Sequence, residues 1–309
     1  MIRTRSLGRR FGKFSAVEGL DLSIGKGEVF GFLGPNGAGK TTTVRMLACL
    51  IRPTSGQATV DGLQIDDPDD AGRIRRMIGI LTERPGFYEN LTALKNLRFY
   101  ADLYHIDRRK ADENIDLLMD RFGMSQWKEA KVGGFSKGMR QKLALIRCLL
   151  HDPDVLFLDE PTAGLDPVSA RAVRDAIVQL KKEGRTIFLC THNLDEAERL
   201  CDHVAIVNHR VLYEGTPEKL KDVAYGRRII VRLEQVNDTV YRAVSDLDIV
   251  DDVCREEHSM ILQVSDPDRH CADIVNTIVH AGGRILSVGE TQHSLEDAYI
   301  KLTGERDEH

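Results

Sequence analysis

The sequence predicts an α/β protein: a mostly parallel sheet over residues 1–222, then a smaller α+β module over 223–309. Three observations carry this. A glycine-rich loop, Gly34-Pro35-Asn36-Gly37-Ala38-Gly39-Lys40-Thr41-Thr42, sits between the apolar run Val29–Leu33 and a helical stretch starting at Thr42. Short apolar runs alternate with helical periodicity, as strands buried on both faces of a parallel sheet do. After about residue 222 the texture changes to a second, independent strand-helix order.

In order, residues 1–33 show short apolar runs broken at Phe11-Gly12-Lys13-Phe14 and Gly25-Lys26-Gly27, the punctuation of an antiparallel sheet. Arg3, Arg5, Arg9, Arg10 and Lys13 read as a solvated edge strand. Asp66-Asp67-Pro68-Asp69-Asp70 reads as an acidic loop, and Ile78–Leu81 as a strand. From 91 to 131, Leu91, Leu94, Leu97, Tyr100, Leu103 and Tyr104 recur at helical spacing, with Trp127 read as core. The helical subdomain spans about 84–150, and Ser136 is read as the N-cap of its last helix. Val155–Leu158, Thr186–Cys190 and Val204–Val207 are buried strands, with a helix through Val173, Ile177 and Leu180. Beyond 222 the order β-α-β-β-α-β resembles a ferredoxin-like module, closed by a helix packing Leu295, Ala298, Tyr299 and Leu302.

The 309 residues carry a net charge of -5 and 42% hydrophobic residues, an ordinary globular balance that argues against nucleic acid as the main partner. The six cysteines form no C-x-x-C pair, so neither a metal site nor a disulfide framework is expected, and buried thiols in a reducing cytoplasm are. No signal peptide is read, and no apolar run approaches the roughly 18 residues needed to span a bilayer. A membrane role would go through a partner.

The loop at 34–42 fits G-x-x-x-x-G-K-[ST], and its strand-loop-helix context is the one that pattern needs. Glycines let backbone N–H groups turn inward, and a helix N-terminus favours an anion. Lys40 can reach β- and γ-phosphates, and the Thr41 hydroxyl can bind Mg²⁺. Asp159 and Glu160 end the strand at 155–158, where an open α/β sheet takes its ligand. Asp159 can hold magnesium through its water shell, and Glu160 can orient the attacking water.

Phe135-Ser136-Lys137-Gly138-Met139 lies just before that strand. With the loop, the Asp159-Glu160 pair and the spacing between them, the chain resembles the ATP-binding subunit of an ABC transporter over about residues 1–220. The family signature is usually Leu-Ser-Gly-Gly-Gln; Ser136 and Gly138 match, while Phe135, Lys137 and Met139 depart from it. The resemblance implies a P-loop NTPase (ABC ATPase) core with an N-terminal antiparallel β subdomain and a helical subdomain. It implies ATP and Mg²⁺, and a dimer in which Ser136 and Gly138 face the nucleotide of the opposite subunit. Phe11 then matches the aromatic that stacks on adenine. Glu83 stands where the family usually has glutamine and would touch magnesium or the lytic water. Asp166 matches the loop that crosses the dimer interface, and His192 the switch histidine at the γ-phosphate. Thr82–Tyr88, the altered signature and Ser294–Asp297 look like the drug- and antibiotic-export branch.

The implied function is an ATPase that powers export through a separate integral membrane permease, working as a homodimer or paired with a second ATPase subunit. It would sit in the cytoplasm, peripheral on the inner face of the membrane. The alternative is a soluble ABC-type ATPase acting on ribosomes or DNA, disfavoured by a single cassette and an insertion too short for a coiled coil. A small-molecule kinase is disfavoured by the signature and His192. The module at 223–309 is expected to act as an accessory or regulatory domain.

Overall fold

Val29–Leu33, Val155–Asp159 and Thr186–Thr191 are mostly apolar, and each is buried along its whole length. A strand covered on both faces has no use for an alternating pattern. In the computed structural model these runs form the centre of a six-stranded sheet. The structure describes residues 1–82, 86–290 and 294–304. The chain divides into two compact units, Met1–Thr216 and Pro217–His309.

In chain order the first unit holds β1 (Ile2–Phe11), β2 (Phe14–Ile24), β3 (Val29–Leu33), α1 (Lys40–Leu47), β4 (Ser55–Val60), β5 (Leu63–Gln64), α2 (Pro68–Met77) and β6 (Ile78–Leu81). It continues with α3 (Ala93–Leu103), α4 (Arg108–Arg121), α5 (Lys137–Leu149), β7 (Val155–Asp159), α6 (Pro167–Lys182), β8 (Thr186–Thr191), α7 (Leu194–Leu200), β9 (His203–Asn208) and β10 (Arg210–Gly215). The second unit holds α8 (Pro217–Tyr225), β11 (Arg228–Leu233), α9 (Asp238–Ser245), β12 (Val250–Arg255), β13 (Ser259–Val264), α10 (Pro267–His280), β14 (Ile285–Glu290) and α11 (Leu295–Thr303).

The central sheet runs β10-β9-β3-β8-β7-β6, parallel except for β10 at one edge. An antiparallel sheet, β2-β1-β4-β5, draws strands from both sides of the glycine-rich loop. One core joins them: Ile2, Leu20 and Val60 belong to the same buried cluster as Phe32, Val44 and Phe157. Phe188 lies 5.1–5.8 Å from the rings of Phe30, Phe32 and Phe157. Truncating such a residue to alanine costs about 3–5 kcal/mol. The ends of β3, β7 and β8 point the same way, so the residues following them share one edge of the sheet.

In the second unit β11–β14 pair antiparallel in the order β12-β13-β11-β14. Val240 and Val244 of α9, with Ile274 and Ile278 of α10, join Val231, Leu233, Met260 and Leu262 in its core. Tyr225 at the end of α8 donates to the Asp297 carbonyl of α11 at 2.9 Å.

Several local expectations are corrected. The stretch read as an acidic loop starts α2: Asp67 accepts from the Asp69 and Asp70 amides, and Pro68 occupies the first turn. The residues that suggest a solvated turn are those that favour a helix N-terminus. The arginine-rich β1 is no edge strand but lies between β2 and β4. Trp127 is 41% exposed and packs edge-on against Phe135, outside the core. Leu302 is also exposed, as is the Cys254 thiol. The division falls at 216/217, before α8, a few residues ahead of the texture change. Among the described residues no helix is long and apolar enough to cross a membrane.

Candidate nucleotide site

The loop after β3 needs its glycines for distinct reasons. Gly39 caps α1 at φ 97, and a Cβ there would stand 2.4 Å from the Ala16 carbonyl oxygen. A Cβ at Gly34 would stand 2.2 Å from the Val207 carbonyl oxygen. Backbone on both sides, from β2 and β9, thus presses the loop into a tight curl. His209 braces it further: its amide donates to the Ala38 carbonyl at 3.1 Å, and its ring meets Phe14 edge-on at 5.7 Å.

The curl forms one wall of a cleft of about 460 Å³, lined by Phe11, Phe14, Ala16, Pro35, Asn36, Gly37, Gly39, Lys40, Thr41, Thr42, Asp159, Glu160, Ala163 and His192. Gly34 and Ala38 are buried behind it. Phe11 and Phe14 pair across the β1–β2 turn and remain about half exposed. The Arg9 guanidinium lies 4.6 Å from the Phe11 ring centre and fixes it from one side. Such a ring can take a flat base on its other face.

At the opposite end Lys40 is buried, donating to the Gly34 and Pro35 carbonyls at 2.5 and 3.2 Å. Its ammonium is 3.9 Å from Glu160 Oε1. Thr41 Oγ1 donates to Asp159 Oδ2 at 2.9 Å. That hydroxyl and carboxylate, both hard oxygen donors, fit a magnesium ion at the phosphate end of the cleft. Among the described residues no group of three or more His, Cys, Asp or Glu could hold a metal by itself. A magnesium ion here would need phosphate and water oxygens as well, which is its usual habit.

Glu160 follows β7 with φ 50, a left-handed backbone unusual for a non-glycine residue. Its amide donates to the Cys190 carbonyl at 2.9 Å. One carboxylate oxygen meets His192 Nδ1 at 2.8 Å, and the other accepts from Thr191 Oγ1 at 3.4 Å. The strain aims this carboxylate into the cleft between Lys40 and His192, where it can order a water beside a terminal phosphate.

Ser136, Gly138 and Asp166 stand elsewhere: none lines the cleft. Ser136 caps α5, accepting from the Met139 amide at 3.2 Å, and is exposed. Asp166 caps α6, accepting from the Val168 and Ser169 amides at 3.1 and 3.0 Å. A hydrogen bond from the Ser169 hydroxyl, together with those from the amides, holds its carboxyl below the usual aspartate range. A Cβ on Gly138 would stand 2.4 Å from Ser169 Oγ, so the two helix starts lie against each other. Gln141 ties this face back to the cleft, donating to the Pro161 carbonyl at 2.7 Å. Glu83, expected at magnesium or the lytic water, lies outside the described residues.

Sequence reasoning missed Phe14, Ala16 and Ala163 as cleft residues, and His209 and Gln141 as braces. Phe14 was findable, since a two-residue turn at Gly12-Lys13 must place it across from Phe11.

A family model described as "ABC transporter" matches residues 17–163. The chain is 37% identical over 309 residues to the fluoroquinolones export ATP-binding protein of Mycobacterium tuberculosis, covering 98% of this chain and 93% of that one. It is 37% identical over 305 residues to the bacitracin transport ATP-binding protein of Bacillus licheniformis, covering 98% and 97%. Both likenesses run through the second unit. A solved ATP-binding subunit of an ABC transporter superposes on 72% of this chain and 92% of its own, with a TM-score of 0.65 and 29% identity.

Proposed function

The chain belongs to the ABC transporter family as an ATP-binding subunit and ATPase, and from that premise we propose that two copies hydrolyse ATP head to tail to drive export through a separate membrane permease. The observation that carries the dimer is the separation of two sets of residues in one chain. The cleft holds a base platform, a phosphate loop and Glu160. The Ser136–Gly138–Asp166 face presents two capped helix starts and none of the cleft. A helix N-terminus favours an anion. Laid over the cleft of a second copy, this face would close on the terminal phosphate.

Within the cleft, backbone N–H groups of 37–41 and the start of α1 would cradle the phosphates, and the Lys40 ammonium would exchange its carbonyl partners for phosphate oxygens. Thr41 and Asp159 would hold Mg²⁺, which when bound would withdraw charge from the β- and γ-phosphate oxygens. Glu160 would order and polarise the attacking water, and His192, already on Glu160, would register the terminal phosphate. Phe11, with Phe14 beside it, would stack the adenine. Asp166 would cross the interface between copies. Loss of the γ-phosphate would remove the bond between the two faces and release the dimer.

Export is read from the named relatives, which match across nearly the whole chain. A permease partner is supported by two exposed aromatic side chains, Tyr88 and Phe99, where the helical subdomain begins, with the half-buried Tyr100 behind them. Tyr88 and Phe99 meet edge-on at 5.2 Å, Phe99 and Tyr100 at 5.4 Å, with Arg147 over Tyr100. Contiguous exposed aromatic surface is suited to docking a partner. Through it the chain would sit on the inner face of the membrane. The second unit would act as an accessory domain. Purifying the tagged chain from detergent-solubilised membranes tests this. An integral membrane protein should copurify in stoichiometric amount; ribosomes, RNA or DNA in its place would overturn the reading.

A further inference from the structure

Behind Glu160 stands a second glutamate. Glu196, on α7, is 2% exposed. Its amide is capped by Asn193 Oδ1 at 3.0 Å. Its Oε2 lies 3.3 Å from Thr191 Oγ1. That hydroxyl also lies 3.4 Å from Glu160 Oε2 and accepts from the Asn193 amide at 3.0 Å. Thr191 therefore has one proton and two carboxyl groups to give it to. The Thr162 hydroxyl is the other side chain that hydrogen-bonds the Glu196 carboxyl.

Two ionised carboxylates would compete for the single Thr191 proton, so Glu160 Oε2 would hold it only part of the time, although His192 and Lys40 serve its other oxygen and Thr162 serves Glu196. A proton on Glu196 removes the conflict. Glu196 then donates to Thr191 Oγ1, which accepts from it and from the Asn193 amide and gives its own proton to Glu160. Every hydrogen-bonding site of the hydroxyl is used. We propose that Glu196 is a positioning residue of the hydrolytic centre: a neutral carboxylic acid that turns the Thr191 hydroxyl onto Glu160 Oε2 and so fixes the carboxylate that orders the attacking water. This rests on the reading of Glu160 as that carboxylate.

The surroundings agree. Burial raises the Glu196 carboxyl above the usual glutamate range, and the Glu160 charge adds to the rise. Opposing it are the Thr162 and Thr191 hydroxyls and the Arg174 guanidinium of α6. The thiols of Cys190 on β8 and Cys201 after α7 are held protonated by burial. The neighbouring β3 brings no titratable side chain. Lys40 and His192 contact Glu160 rather than Glu196.

The test is kcat and KM for ATP across pH, on the full chain. Glu196→Leu and Thr191→Val should each lower kcat about tenfold, the worth of one hydrogen bond to a charged group, with KM unchanged. The double variant should be no worse than either, because both remove one path. Glu196→Gln, whose amide N–H can donate as the acid does, should recover most of the loss. The neutral form is the working form and its proton is bound more tightly than usual. So wild-type kcat should fall as pH rises through the raised value, and Glu196→Gln should abolish that fall. If Glu196→Gln is as impaired as Glu196→Leu, or keeps the wild-type pH profile, the proposal is wrong. Glu160→Gln separates the layers. Hydrolysis surviving in that variant overturns the reading of Glu160 and this inference with it. Hydrolysis lost there but untouched in all Glu196 variants overturns this inference alone.

Discussion

The phosphate-loop cleft and the Ser136–Gly138–Asp166 face use the same device, the start of a helix, in opposite ways. In the cleft α1 begins at a left-handed glycine with no side-chain cap, and its loop curls around an ammonium, a hydroxyl and two carboxylates that already contact one another. On the other face α5 and α6 begin with conventional Ser and Asp caps, exposed, and the two helix starts lie against each other. The first region is a site within one chain. The second satisfies its own backbone, and none of its residues lines the cleft. Breaking one should therefore look unlike breaking the other.

The largest difference should come from Glu160→Gln. Hydrolysis should drop about 10²–10⁴-fold, the usual worth of a positioned base, while equilibrium binding of fluorescent ATP is retained. Gly39→Ala comes next. The left-handed backbone and the Ala16 carbonyl both resist a side chain, so nucleotide affinity should fall about 5–150-fold, from ~1–3 kcal/mol of strain. Gly138→Ala should do the reverse. The new methyl meets Ser169 Oγ and spreads α5 from α6, so hydrolysis falls while a single chain binds ATP as before. Adding Ser169→Gly removes the obstacle and should restore activity; if it does not, the close approach of the two helix starts is not what Gly138 is for. Smallest is Phe11→Ala. Losing one stacked ring costs about 0.5–1.5 kcal/mol, so ATP and GTP should weaken alike, two- to tenfold by titration calorimetry.

The same contrast explains what the sequence disclosed. The cleft's chemistry sits in contiguous runs, Gly34–Thr42 and Asp159–Glu160, whose spacing is set by backbone geometry and can be read locally. Ser136 was likewise legible as a cap, whereas Asp166 was read as part of a loop and proves to cap α6. What was hidden depends on distant backbone. Ala16 and Val207 explain why residues 39 and 34 must be glycine, yet they lie on strands whose approach to the loop no local pattern reports. Glu196 reads as an ordinary polar residue of a short helix, and only the packing of α7 shows that it is buried behind Glu160. The α2 start was misread because acids and proline favour both a solvated turn and a helix N-terminus, and only the pattern after Pro68 decides between them.

The central claim is that one chain carries two halves of different sites. The direct measurement is the mass of Glu160→Gln in solution, by light scattering after size exclusion, with Mg²⁺ and ATP. The mass should be twice the 34.7 kDa of one chain with ATP, and should return to that of one chain without it. It should also stay at one chain when Gly138→Ala is added. A variant that binds ATP at full occupancy and remains a single chain would contradict the claim.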